Sequence, residues 1–133
     1  MCNRTGTVTA ICGTKINIRR YEKHLLMKFK EIKEAFYSKC VIFVEGETEY
    51  GCMHKFSEKM SVSLDDYGIC VINAGGEKSI EPIRKLLDEF KIPSISIYDS
   101  DVQNGVTPNE YQFFTTYPCF EIEIVNKLYD SKI

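Results

Sequence analysis

The chain has 133 residues, of which 44% are hydrophobic and 27% charged, and its formal net charge is −2. The length suits a single domain with one core, and the composition excludes a disordered tail or a wholly basic nucleic-acid binder. No apolar stretch approaches the roughly 20 residues that a membrane helix needs, so no membrane partner is expected. An acidic site stays compatible with nucleic acid, because bound metal ions supply positive charge.

The six cysteines are scattered along the chain without zinc-knuckle or redox-pair spacing. The first residues, Met1-Cys2-Asn3-Arg4, do not have the pattern of a signal peptide. We therefore expect reduced thiols and a cytoplasmic protein, although an even number of cysteines is also compatible with disulfides.

The first 18 residues are the least informative part of the chain. Residues 1–18 alternate weakly and predict an N-terminal extension or a hairpin. Residues 19–38 predict a helix, because apolar side chains recur on one face. They are Leu25, Phe29, Ile32 and Phe36. Between residues 19 and 39, seven Lys or Arg accompany three Glu, which indicates either a solvated face or a contact for a phosphate backbone.

Three short apolar runs predict strands that are buried on both faces. They occupy residues 40–44, 68–73 and 92–98. Gly46 is expected to supply a tight turn after the first strand, and Thr48 to cap a helix that ends near Met60. A third helix is predicted over 79–91, where Pro82 is tolerated because it falls in the predicted first turn.

The last third of the chain continues the alternation of strands and helices. A loop is expected over 102–110, a fourth strand over 111–116, and a helix from Pro118 to about Tyr129. This order predicts an α/β fold with a small Rossmann-like parallel sheet flanked by helices. In such sheets ligands bind at the carboxyl ends of the strands.

Acidic residues recur at those predicted carboxyl ends. Glu45 follows the first strand, Glu49 begins the next helix, and Asp99 and Asp101 follow the third strand. The two aspartates are two residues apart, so their side chains are expected to point the same way. Glu121 is the fifth candidate, in competition with Glu123.

Carboxylates that are packed together repel one another, and a hard cation such as Mg²⁺ relieves the repulsion. Four or five carboxylates suffice for two ions about 3.5–4 Å apart, which stabilise both attacking and leaving oxygens of a displacement. Each motif alone has a plain alternative. Asp-x-Asp also begins solvated loops, and Glu is favourable at any helix N-terminus.

The turn Gly75-Gly76-Glu77-Lys78 opens the third predicted helix. Its backbone N–H groups are candidates to bind a phosphate, and Lys78 would add a positive charge. The alternative is that the glycines serve turn geometry alone. The turn is not a P-loop, because it lacks the Gly-x-x-x-x-Gly-Lys-Ser/Thr pattern.

Three segments together resemble the Toprim domain of the overcoming lysogenization defect (OLD) family nucleases. The Glu after the first strand and the later Asp-x-Asp form the Toprim signature, and Glu-Gly-x-Thr-Glu, Asn-Ala-Gly-Gly and Phe120-Glu121 resemble the OLD branch in particular. By this resemblance the metal ligands of a two-metal DNA nuclease would be Glu45, Glu49, Asp99, Asp101 and Glu121. The ions would be Mg²⁺ or Mn²⁺, and Glu45 is also a candidate general acid/base.

The resemblance implies a Toprim domain over residues 40–133, preceded by a linking helix over 19–39. OLD nucleases usually carry an ATPase domain, whose P-loop is not found in this sequence, so that domain or subunit would be supplied elsewhere. The chain is then a fragment, an expressed domain or a stand-alone protein, and homo-oligomerisation stays open.

The expected function is a Mg²⁺-dependent endonuclease domain that cleaves or nicks DNA. The alternative is a catalytically incomplete Toprim module that binds DNA or a partner chain through its basic first helix. A phosphoacceptor domain of the receiver type is a third interpretation, but it needs a Lys at a later strand end, whereas Lys78 lies at a helix start.

Overall fold

The computed structural model describes residues 29–105 and 110–131, which form a four-stranded sheet with flanking helices. The elements are α1 (Phe29–Ala35), β1 (Cys40–Val44), α2 (Glu47–Lys59), β2 (Ile69–Asn73), α3 (Glu77–Glu89), β3 (Ser94–Tyr98), a 3₁₀ helix (Ser100–Gly105), β4 (Gln112–Phe114) and α4 (Phe120–Asp130). No helix of this described part is long and apolar enough to cross a bilayer. The predicted extension over 1–18 and the first half of the predicted linking helix lie outside the described residues.

The sheet has the strand order β2-β1-β3-β4, and every pairing is parallel. β1 is therefore central, with Phe43 level with Ile72 on one side and with Ser96 on the other. The predicted parallel α/β fold and the fourth strand are confirmed. Because β1 and β3 are neighbours, their carboxyl ends open onto the same part of the sheet edge.

The core forms where alternate residues of the central strands meet α1 and α3. Val41 and Phe43 of β1 are fully buried, and Ile83 and Leu87 of α3 pack into the same cluster. Ile32 of α1 is 1% exposed and Phe36 packs against the core, which confirms these two members of the predicted apolar face, whereas Leu25 and the Phe29 side chain lie outside the described part. Burial of such side chains is worth about 1.5–3 kcal/mol each, so this cluster holds the sheet and its edge in place.

Two predicted helix starts were wrong. α2 begins at Glu47, so Gly46 is the N-cap residue and Thr48 lies inside the helix. The cap is supplied by the carboxylate of Glu49, which accepts the N–H of Gly46 at 3.1 Å. A Glu three residues past the cap can bind the cap N–H directly, so a hydroxyl at Thr48 is not needed there.

The start of α3 was also wrong by two residues. The helix begins at Glu77, so Pro82 lies in the second turn instead of the first. Proline has no N–H to donate to the carbonyl of Lys78, and the apolar stripe of Ile80 and Ile83 compensates by burial. The predicted loop after β3 begins as the 3₁₀ helix, and residues 106–109 lie outside the described residues.

Candidate functional site

The carboxyl ends of β1 and β3 are joined by a side chain of the acidic set. Glu45 follows β1, and its Oε1 accepts the backbone N–H of Asp99 at 2.9 Å. Asp99 follows β3 and is 54 residues further along the chain. Two members of the predicted acidic set are therefore in direct contact.

Glu49 is the buried residue of α2, with 7% of its surface exposed. Its hydrogen bond to the Gly46 N–H folds the carboxylate back over the end of β1. Gly46 has an extended backbone with φ of −138°, which any residue adopts, so it is not needed for a tight turn. A Cβ at position 46 would lie 3.0 Å from Glu49 Oε2, so a larger residue would require the Glu49 carboxylate to shift by a few tenths of an ångström.

The Asp99-Ser100-Asp101 segment leaves the sheet immediately. β3 ends at Tyr98, and Asp101 is exposed in the 3₁₀ helix, so the strand alternation predicted for the two aspartates does not apply. Ser100 fixes the segment, because its N–H donates to Thr115 Oγ1 at 2.9 Å and its hydroxyl donates to the carbonyl of Tyr117 at 2.8 Å.

The two competing glutamates of α4 have different surroundings. Glu121 accepts hydrogen bonds from the Thr48 hydroxyl and the Cys119 thiol, and it raises the pKa of Asp99 by charge repulsion. Glu123 Oε2 instead accepts the N–H groups of Thr116 and Tyr117 at 2.9 and 3.1 Å. The structure therefore places Glu121 beside the acidic set, whereas Glu123 caps the turn before α4.

The pKa of Glu45 is raised to about 7, first of all by burial. The negative charges of Asp99, Glu77 and Asp101 add to this rise, and the hydrogen bond from the Asp99 N–H opposes it. Among the described residues, no Lys or Arg ion pair with Glu45 offsets these charges.

The pKa of Asp99 is raised to about 6, again mainly by burial. The charges of Glu49, Asp101 and Glu121 raise it further, and a hydrogen bond from the Phe120 N–H lowers it. Three of the other four predicted carboxylates are thus close enough for their charges to raise the pKa of Asp99. The predicted acidic residues share one electrostatic neighbourhood that contains excess negative charge.

Sequence reasoning missed two further residues at this edge. Glu77, the first residue of α3, raises the pKa of Glu45 by charge repulsion. Asn73, the last residue of β2, is 7% exposed, and its Nδ2 donates to Glu47 Oε1 at 2.7 Å. Both residues lie near the carboxyl end of β2, where ligands of parallel sheets bind, and this position was the signal in the sequence.

The glycines of the predicted phosphate-binding turn already donate their N–H groups within the protein. Gly75 donates to Asn73 Oδ1 at 2.8 Å, and Gly76 donates to the carbonyl of Glu45 at 2.8 Å. A phosphate at this turn would therefore have to rely on Lys78 and on the N–H groups of the first turn of α3. The assignment of Gly75, Gly76 and Lys78 to phosphate binding stays a prediction.

The candidate ligands are chemically suited to a hard divalent cation. Every candidate ligand is a carboxylate, which Mg²⁺ and Mn²⁺ prefer, and burial together with mutual repulsion raises the pKa of two of them. Within residues 29–105 and 110–131, no three His, Cys, Asp or Glu side chains are grouped closely enough to hold an ion as they stand. Side chains would therefore have to rotate to coordinate one.

Comparison with known families and structures gives two matches. Residues 36–101 match the family model of the TOPRIM domain of overcoming lysogenization defect protein-like proteins. The fold is similar to that of the C-terminal region of the Xanthomonas campestris pv. campestris OLD protein, with 26% identity and a TM-score of 0.54. That similarity covers 65% of this chain and 54% of the other, so the chain spans about half of that structure. No curated protein gave a significant match.

Proposed function

Residues 36–101 of this chain are an OLD-like Toprim domain, and from this premise we propose that the protein is a divalent-metal-dependent DNA endonuclease module. It would nick or cleave phosphodiester bonds at the carboxyl edge of the sheet. The observation that carries the proposal is the contact between Glu45 Oε1 and the Asp99 N–H. It brings the Glu after β1 and the Asp-x-Asp after β3 to one point, beside the buried carboxylate of Glu49.

We assign the metal ligands to the five carboxylates predicted from the sequence. They are Glu45, Glu49, Asp99, Asp101 and Glu121. A bound Mg²⁺ or Mn²⁺, as one or two ions, would neutralise this cluster and polarise a phosphate oxygen. Repulsion between unneutralised carboxylates opposes their close approach, so we expect the side chains to converge only when an ion binds.

The residues of the chain have distinct tasks in this proposal. Glu45 is held by the Asp99 N–H through Oε1, which leaves Oε2 to contact the ion or to hold a proton. Burial raises the pKa of Glu45 to about 7 in the metal-free protein, and a bound ion would lower it and favour the ionised ligand. The Glu49–Gly46 hydrogen bond keeps the second glutamate at the same edge. Lys78 is assigned to the scissile phosphate or to a neighbouring one.

The proposed partners are DNA and an ATPase domain or subunit that is not in the described part of the chain. The ATPase partner is proposed because OLD nucleases, which the chain resembles, usually carry an ATPase domain. The linking helix over 19–39 and the domain over 40–133 would then be the two parts of this module. A cytoplasmic location suits this activity.

A second candidate is a DNA-docking module without catalysis. It is favoured by the exposed Lys30 and Lys33 on α1. DNA binding by such a module should survive Asp99→Ala. It should weaken in a Lys28→Gln, Lys30→Gln, Lys33→Gln variant, with a smaller dependence of affinity on salt.

The deciding experiment incubates the protein with supercoiled plasmid in Mg²⁺, in Mn²⁺ and in EDTA. We expect open-circular product with either ion and none in EDTA. Asp99→Asn should abolish the product, whereas Asp88→Asn, the same change on an exposed carboxylate of α3, should leave it intact. Calorimetry with Mn²⁺ should detect binding to the wild type and to Asp88→Asn.

Failure of the wild type to nick DNA or to bind Mn²⁺ at millimolar concentration would overturn the nuclease proposal. If DNA binding persisted in that case and were sensitive to the three lysine substitutions, the docking function would replace it.

A further inference from the structure

The side chain of Asn73 connects the two loops that border Glu45. Its Nδ2 donates to Glu47 Oε1 at 2.7 Å, in the first turn of α2. Its Oδ1 accepts the N–H of Gly75 at 2.8 Å, in the turn between β2 and α3. One buried carboxamide therefore links the loop after β1 to the turn after β2, across 26 residues of sequence.

The bridge requires asparagine, because its two ends have opposite chemistry. The Gly75 N–H can only donate, and the Glu47 carboxylate can only accept while it is ionised. Aspartate could accept from Gly75 but would place a second negative charge against Glu47. The amide orientation of Asn73 is fixed by these two partners, and both oxygen and nitrogen are used.

The turn that Asn73 closes also holds the backbone of Glu45. Gly76 donates its N–H to the Glu45 carbonyl at 2.8 Å, and its φ of 121° is one that L side chains rarely adopt. The Asn73–Gly75 hydrogen bond sets the path of the chain into that conformation. Asn73 thus acts on Glu45 from the backbone side, while the Asp99 N–H holds the Glu45 carboxylate.

We infer that Asn73 is a positioning residue for Glu45 and that Glu47 is its anchor and not a metal ligand. The inference rests on the proposed nuclease function. The three glutamates of the Glu-Gly-Glu-Thr-Glu segment then have different roles. Glu45 and Glu49 serve the acidic site, and Glu47 fixes the loop that carries them.

The test is a donor–acceptor exchange. In Asn73→Asp the bond to Gly75 is retained, the bond to Glu47 is lost, and two carboxylates face each other. Adding Glu47→Gln to this variant supplies an amide N–H at position 47 that can donate to the new carboxylate at position 73. The hydrogen bond is then restored with donor and acceptor exchanged. We expect plasmid nicking to fall about tenfold in Asn73→Asp, as for other residues that orient metal ligands, and to recover at least half of its rate in the double variant.

Two controls separate positioning from general loss of stability. Ile83→Val removes a methylene from the core of α3 without touching the edge, and it should lower the melting temperature with little effect on nicking below the transition. Glu47→Gln alone retains an acceptor for Asn73 and should keep most of the activity. Equal activity loss in Ile83→Val and Asn73→Asp at matched stability would overturn the inference.

Amide hydrogen exchange gives a second measurement that does not depend on nuclease activity. The Gly76 N–H should exchange faster in Asn73→Asp, because release of Glu47 loosens the segment whose Glu45 carbonyl accepts that N–H, and it should regain protection in the double variant. If the wild type does not nick DNA, the nuclease function fails, but recovered Gly76 protection still supports the bridge. If the wild type nicks DNA and the double variant recovers neither rate nor protection, the positioning role fails by itself.

Discussion

Carboxylates on α3 and carboxylates at the carboxyl edge of the sheet have opposite electrostatic surroundings. Glu81 and Asp88 of α3 both bind Arg84, at 2.8 and 2.9 Å, and the Arg84 hydrogen bond lowers the pKa of Glu81. At the sheet edge the pKa values of Glu45 and Asp99 are raised to about 7 and about 6. The same functional group is neutralised by a neighbour in one region and left uncompensated in the other.

The difference indicates what each region is for. The α3 ion pairs lie partly in solvent, where such pairs contribute roughly 0–1 kcal/mol to stability. The edge carboxylates oppose folding, because burial and repulsion both disfavour their ionised forms. A protein tolerates such a cost at functional sites, and a divalent ion would remove it.

The largest effect should come from changing Glu45. Glu45→Gln keeps an oxygen for the Asp99 N–H but removes the charge and the titrating group. We expect nicking to fall about 100-fold or more, the range of a lost general acid/base. Initial rates with Mg²⁺ would measure this, with Glu81→Gln as the matched change on α3. A Glu45→Gln rate within a few-fold of wild type would remove Glu45 from the proposed chemistry.

A divalent ion should stabilise the protein through the edge and not through α3. Binding to the folded state alone stabilises by about 2.7 kcal/mol at 100 times the dissociation constant. We therefore expect Mn²⁺ to raise the melting temperature of the wild type and of Arg84→Ala by similar amounts. The rise should be largely lost in Asp99→Asn. An unchanged rise in Asp99→Asn would place the ion elsewhere.

In the metal-free protein the two regions should respond to pH with opposite signs. The pKa of Glu45 is raised on folding, so its contribution to stability is fully present below about pH 4 and is lost as pH rises through 7. Glu45→Gln should therefore be more stable than wild type at pH 8, by about 1 kcal/mol after allowance for partial exposure, and nearly equal at pH 4.

Glu81 provides the opposite case. Its pKa is lowered by Arg84, so its contribution is present above its ordinary pKa and is lost as pH falls. Glu81→Gln should be slightly less stable than wild type at pH 8, by about 0.5 kcal/mol. Urea unfolding in EDTA at both pH values would measure the two variants side by side. Shifts of the same sign for both would contradict the contrast between the two regions.

The sequence was sufficient for the architecture because its strands are continuous apolar runs. β1 was predicted with its observed bounds, Cys40–Val44, since a run buried on both faces ends where Glu45 begins. Helix starts were less predictable, because a cap supplied by Glu49 competes with one supplied by Thr48, and only packing decides.

The site was predicted in part for a similar reason. A carboxylate at the end of a strand is visible in the sequence, which found Glu45 and Asp99. Asn73 bonds Gly75, two residues away, and Glu47, 26 residues away. The contact with Glu47 could not be predicted, because no sequence spacing indicates it. Likewise, the sequence could not decide which of Glu121 and Glu123 lies beside the acidic set. The structure shows that Glu123 accepts the N–H of Thr116 instead.

The central place of β1 has a consequence for how the protein assembles. β1 is synthesised before β3, its neighbour in the sheet, and Glu45 meets Asp99 only after 54 more residues have been made. Contacts between distant segments form slowly, because the intervening chain must first be closed into a loop. A nascent chain that has completed β2 therefore lacks Asp99 and Asp101 at this edge, and both are added only when β3 docks.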